Sequence, residues 1–193
     1  MTKFHTVFDT QKLFRNLLES MSYVGTVKNV YHICSGCDYD LDLFKCTQAL
    51  AIMYLDADTS FHVYENKNIE DKIAMITYCR KQNCENATTI FVPFNKQSEL
   101  AKVIKNAKEG SLINPHEGAT IIVECNSCTS GKLYKAKGPG IETEATFKLN
   151  IDCDWLEARK EKNVEFPLGV DLIFVDGNSN LLAIPRTTQI ERG

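Results

Sequence analysis

The run Val170-Asp171-Leu172-Ile173-Phe174-Val175, the turn Asp176-Gly177-Asn178-Ser179 and the run Leu181-Leu182-Ala183-Ile184-Pro185 decide the fold. The first run is short, strongly apolar and bounded by turn residues, which reads as a buried strand. Asp-Gly-Asn-Ser supplies a hairpin-type turn. The second run is the return strand, and Pro185, with no N–H to give, stops it. Both strands are read as core.

Working outward, helical and strand patterns alternate, which predicts an α/β or mixed α+β sandwich. A first helix is expected over about 9–21, with Asp9 or Thr10 as its cap and Leu13, Phe14, Leu17, Leu18 and Met21 on one face. Further helices are expected over 41–55, 68–82, 98–107 and 153–162, the last with Trp155 and Leu156 inward. Strands are expected at 61–64, 88–92 and 119–125. Residues 132–136 alternate and are expected to pair with 119–125 across a turn at Ser130-Gly131. The sum is four or five helices around one central sheet of six or seven strands, a single domain over 1–193.

Apolar residues at 44% and charged residues at 24% match an ordinary globular chain and exclude a disordered or collagen-like one. The longest apolar run, Ala49 to Leu55, is far short of the about 20 residues that cross a bilayer, so no membrane span is expected. Met1-Thr2-Lys3-Phe4-His5 lacks the basic and apolar pattern of a secretory leader, so a cytoplasmic location is expected. Acids outnumber Lys and Arg by 25 to 22, and the bases are scattered, which argues against nucleic-acid binding. The eight cysteines are expected as thiols.

Few residues carry chemistry. Cys34-Ser-Gly-Cys37 and Cys125-Asn-Ser-Cys128 could together form a four-thiolate zinc site if folding brought them together. Residues 38–124 separate them, far beyond ribbon spacing, and buried core thiols are the plainer reading. Gly138-Pro139-Gly140 either presents backbone N–H groups to a phosphate or makes a tight turn between strands; no Gly-Lys-Ser/Thr follows it, so it is no P-loop. His116-Glu117 places an acid and a base side by side without a nucleophile, and His5, His32 and His62 look isolated. No catalytic residue is assigned. Pro185-Arg186-Thr187-Thr188, at the strand's exit, is the remaining candidate. Arg186 either clamps a carboxylate or phosphate in fork geometry, or ties down the terminus, or meets a partner chain.

The blocks Phe166-Pro-Leu-Gly-Val-Asp-Leu-Ile173 and Leu181-Leu-Ala-Ile-Pro-Arg-Thr-Thr188 resemble the closing signature of the PhnH family, the H subunit of the bacterial carbon–phosphorus lyase core complex. Phe14 to Ser22 with Gly25, Leu55-Asp56 with Asp58-Thr59, Pro115 with Gly118-Ala119-Thr120, and Gly138-Pro139-Gly140-Ile141 follow in the same order. The chain departs from the family pattern at Val24-Gly25, where Pro-Gly is usual, and over Tyr31 to Asp40. It departs again at Cys125 and Cys128, where apolar or small residues are expected.

The resemblance implies a three-layer α/β/α sandwich around a mixed sheet, similar to the large domain of pyridoxal-phosphate-dependent transferases but without their cofactor site. No cofactor is therefore expected, pyridoxal phosphate included. It also implies a homodimer that joins the G, I and J subunits. That complex attaches an alkylphosphonate to C1′ of the ribose of ATP and displaces adenine. The H subunit is required there without turnover of its own. Two other readings stay open: an independent phosphate- or nucleotide-binding protein or enzyme, and a zinc-stabilised structural protein.

Overall fold

The computed structural model describes residues 3–193. Its first helix, α1 (Phe8–Ser22), buries Leu13, Leu17 and Ser20. Neither expected cap acts as one: Val7 holds the cap position without a side-chain bond. The Asp9 carboxylate instead accepts the His5 N–H at 2.9 Å, and the Thr10 hydroxyl donates back to the Thr6 carbonyl. A short strand, β1 (Lys28–Asn29), and a one-turn helix, α2 (Tyr31–Cys34), follow.

Helix α3 (Lys45–Tyr54) starts four residues later than the apolar pattern suggests. Buried Gln48 explains the delay: its amide donates to the Leu41 and Leu43 carbonyls at 3.1 and 3.0 Å, which holds that segment in an irregular path. Strand β2 (Ser60–Val63) leads to α4 (Lys67–Thr77), capped by the Asn66 side chain on the Ile69 N–H. Helix α4 was expected to reach Gln82. It stops at Tyr78, which is left-handed with φ of 58°, and the next residues form β3 (Arg80–Lys81).

Strand β4 (Thr89–Val92), a 3-10 segment (Phe94–Glu99) and α5 (Leu100–Asn106) come next. They are followed by β5 (Thr120–Cys125), β6 (Ser127–Lys137), β7 (Ala145–Asn150) and α6 (Leu156–Lys162). The chain closes with β8 (Asp171–Asp176), β9 (Asn180–Ile184) and β10 (Gln189–Arg192).

Seven strands form the large sheet in the order β1-β9-β8-β5-β4-β2-β3. Strands β3, β2, β4, β5 and β8 run parallel, while β9 returns antiparallel to β8 and β1 antiparallel to β9. The hairpin at Asp176–Ser179 is as expected, with Phe174 opposite Leu182. The expected pairing of 132–136 with 119–125 does not form. Both edges of β5 are already taken, by β4 and β8. Strand β6 instead makes a second, three-stranded antiparallel sheet with β7 and β10. Gly131 sits at an irregularity in the β6–β7 register with φ of 109°; a Cβ there would run into the Leu149 carbonyl.

Alternate residues of each central strand feed two cores, as the two-residue period requires. Ile121, Val123, Leu172, Phe174 and Leu182 pack with α5, α6 and the small sheet. Phe61, Phe91, Ile122, Ile173 and Val175 pack with α1, α2, α3 and α4. The result is a mixed α/β sandwich with a large mixed sheet in the middle. One outer layer is helical; the other combines two helices with an antiparallel sheet, so it is not the purely helical layer expected.

A cationic cleft at the C-terminal signature

Arg186 leaves β9 after Pro185 and is held by its own chain. Its backbone N–H donates to Asp171 Oδ1 at 2.7 Å, and Nε and Nη2 donate to Asp171 Oδ2 at 3.1 and 2.5 Å. Nη1 donates to the Pro115 carbonyl at 2.8 Å and Nη2 to the Gly118 carbonyl at 3.3 Å. The carboxylate in its fork is therefore the first residue of β8. Gly118 makes room for it, because a Cβ there would collide with Arg186 Nη1 and the Gly169 carbonyl.

Residues 185–188 form a turn, closed by the Thr188 N–H on the Pro185 carbonyl at 3.1 Å. Gly138 packs against the back of this turn; a Cβ on it would lie 3.1 Å from the Thr187 carbonyl. Gly140 lies elsewhere, against the Ser22 carbonyl at the end of α1. The segment 138–144 simply joins β6 to β7.

Arg159, on α6, is the residue that sequence reading missed. It sits in the charged run Arg159-Lys160-Glu161-Lys162, which looks like a solvated surface. Yet it is only 4% exposed. Nη1 donates to the Thr188 carbonyl at 2.9 Å and Nη2 to the Pro185 carbonyl at 2.7 Å, so it grips the same turn from beneath. No carboxylate touches it among the described residues. Burial pushes its guanidinium down to about 10, partly offset by Asp171, so it stays charged at neutral pH. One signal was available: Arg159 lies one helical turn after Trp155, already placed inward, and so shares its face.

A cleft of about 490 Å³ opens between α6, the 163–168 loop and the 186–191 segment. Arg159, Lys160, Phe166, Arg186, Thr188 and Glu191 are among the residues that line it. A second hollow of about 270 Å³ lies past the ends of β4 and β5, beside Phe44, Phe94 and Glu124. Glu124 is 2% exposed and was also missed. Its oxygens accept the Phe44 N–H at 2.6 Å and the Phe94 N–H at 3.0 Å, tying two loops together. Burial pushes its carboxyl up to about 7 against those two donors. Its signal was a lone charge inside Thr120-Ile-Ile-Val-Glu-Cys125, where a buried parallel strand is apolar throughout.

The cysteine pairs do not converge. Cys34 and Cys37 lie in the helical-layer core, Cys125 and Cys128 in the opposite one. Cys125 and Cys128 approach to 3.6 Å between sulfurs. Among the described residues, no group of three or more His, Cys, Asp or Glu side chains could hold a metal ion. Burial, with Cys34 close by, pushes the Cys37 thiol up to about 12. Hydrogen bonding to Cys125 and burial raise Cys128 as well, the opposite of what a thiolate ligand needs. His62 is not isolated: Nδ1 meets Glu70 Oε1 at 2.9 Å. Among the described residues, no hydroxyl or thiol is hydrogen-bonded to that pair. Glu117 pairs with Lys108 rather than with His116.

The fold and these sites define a class: an α/β sandwich whose polar turn at 185–188 is locked to its own framework, beside a cleft of positive character. The chain belongs to the PhnH family, described as bacterial phosphonate metabolism protein, whose profile matches residues 3–191. It is also similar to a protein of Stutzerimonas stutzeri named putative C-P lyase subunit protein HtxG, at 43% identity over 82 residues. That stretch covers 42% of this chain and 42% of the relative. Among the described residues, no helix is long and apolar enough to cross a membrane.

Proposed function

We propose that the chain is an assembly subunit of a carbon–phosphorus lyase core complex. In that complex an alkylphosphonate is joined to C1′ of the ribose of ATP and adenine leaves. The reading is carried by the family match over residues 3–191. The name of the Stutzerimonas relative, a lyase subunit, supports it. So does the internal use of Arg186, four of whose five N–H donors are turned to the chain's own Asp171 and backbone. On this reading the chain works as a homodimer with G, I and J subunits, and the bond-making groups lie on those partners.

The test is affinity purification of a tagged copy from native cells grown on a phosphonate as sole phosphorus source. The G, I and J subunits are expected in fixed ratio, and the isolated chain is expected to release no adenine from ATP. Recovery of the protein without those subunits, or adenine release by the chain alone, would overturn the reading.

A further inference from the structure

We propose that the cleft between α6 and the 186–191 segment is a receptor for a small oxyanion carried on an apolar stem, with Arg159 as its counter-charge.

A buried guanidinium is costly unless a carboxylate or phosphate neutralises it. Arg159 has five N–H donors, and two carbonyls take one each. Those carbonyls satisfy hydrogen bonds but carry no net charge. The acid that acts on it, Asp171, is already committed to Arg186. One full positive charge is thus held beneath the cleft without a partner. Nε of Arg159 and the hydroxyl of Thr188 are both buried without a hydrogen-bond partner, and both residues line this one cleft. Native interiors rarely leave such groups unmet. Two of them on residues lining one cleft, next to an unpaired cation, mark the place of an acceptor that the chain itself does not supply.

The surroundings define what that acceptor is attached to. Lys160 adds a further cation, beside the Arg186 already paired with Asp171, and Glu191 is the single acid in the lining. The cleft volume of about 490 Å³ falls within the few hundred to a thousand Å³ typical of small-ligand sites. Phe166 and Val164 stand 74% and 82% exposed at its edge. They offer apolar surface to a stem that an inorganic ion lacks. The inference is independent of whether the chain assembles with lyase subunits, since it rests on this chain's residues alone.

The test is calorimetric titration of the full chain with inorganic phosphate, propylphosphonate and butyrate, with the Arg159 Nε–H resonance followed by NMR. Propylphosphonate is expected to bind more tightly than phosphate, by roughly fourfold per buried methylene, and to shift the Nε–H signal. Thr188→Val should weaken binding at least fivefold while the melting temperature holds or rises, because the hydroxyl it removes has no partner to lose. Phe166→Ala should erase the preference for propylphosphonate over phosphate. Arg159→Gln should abolish binding; should it fail to fold, Thr188→Val and the Nε–H shift still decide. If butyrate matches propylphosphonate, the receptor takes carboxylates; if it falls far below, the receptor takes tetrahedral anions. Either supports the proposal. No binding by any probe at tens of millimolar, or binding unaltered in Thr188→Val with an unmoved Nε–H, would overturn it.

Discussion

Glu124 stands in β5, the middle strand of the large sheet, and its proton is governed by what surrounds it. Burial first, and Asp42 as a further charge, raise the carboxyl to about 7 from an ordinary 4.5. Between those two values the unfolded chain has given up this proton and the folded chain still holds it. Stability contributed by this group is therefore complete below pH 4.5 and is lost as pH climbs through 7. The size is about 3 kcal/mol. Urea unfolding at pH 5 and pH 8 should show it, and Glu124→Gln should flatten that part of the profile. A wild-type profile without that fall would mean that the two loop N–H groups outweigh burial. Arg186 gives the complementary case. Arg186→Ala leaves Asp171 partly buried without its cation and should cost about 3 kcal/mol, read as a lower urea midpoint.

Helix α4 shows what an element owes to its last residue. Tyr78 ends it in the left-handed conformation and is exposed, so the strain has no packing return. Tyr78→Gly should raise stability by about 1 kcal/mol, seen as a higher melting temperature; a fall would show that the ring has a contact worth keeping. At Gly118 the reverse holds. Gly118→Ala forces Arg186 Nη1 aside and should cost about 2 kcal/mol, checked by the same melting experiment.

These elements also explain what the sequence made legible. The β8–β9 hairpin was readable because apolar runs, turn residues and a terminal proline agree with one another. The extension of α4 past Thr77 was misread because apolar periodicity continues through Cys79 while the backbone turns at Tyr78. The partner of β6 was misread because strand neighbours far apart in the chain leave no local mark: β5 is flanked by β4 and β8, and nothing within residues 119–136 says so. Arg186 was singled out by its position after a strand. Arg159, whose charge goes unpaired, was hidden in a run of charges, since burial is a tertiary property.

At the scale of the whole molecule, two cores separated by one sheet absorb most of the thiols. Six of the eight cysteines are buried, and Cys84 and Cys153 are half-buried. Burial raises both of the latter as well. Native protein treated with a thiol reagent at pH 8 should modify Cys84 and Cys153 slowly and the others only after denaturation. Rapid modification of Cys125 or Cys128 would show that the core beneath the small sheet opens readily.

The order of the strands also sets a timetable for the nascent chain. Strand β5 is made before the neighbour that closes its second edge, since β8 comes only after residues 126–170 have been translated. At ordinary elongation rates that interval is about 2–9 s. Throughout it the ribosome presents an apolar strand with one open edge, a ready template for another chain. Chaperone demand and losses to inclusion bodies should therefore rise when the stretch of message for residues 126–170 is read slowly.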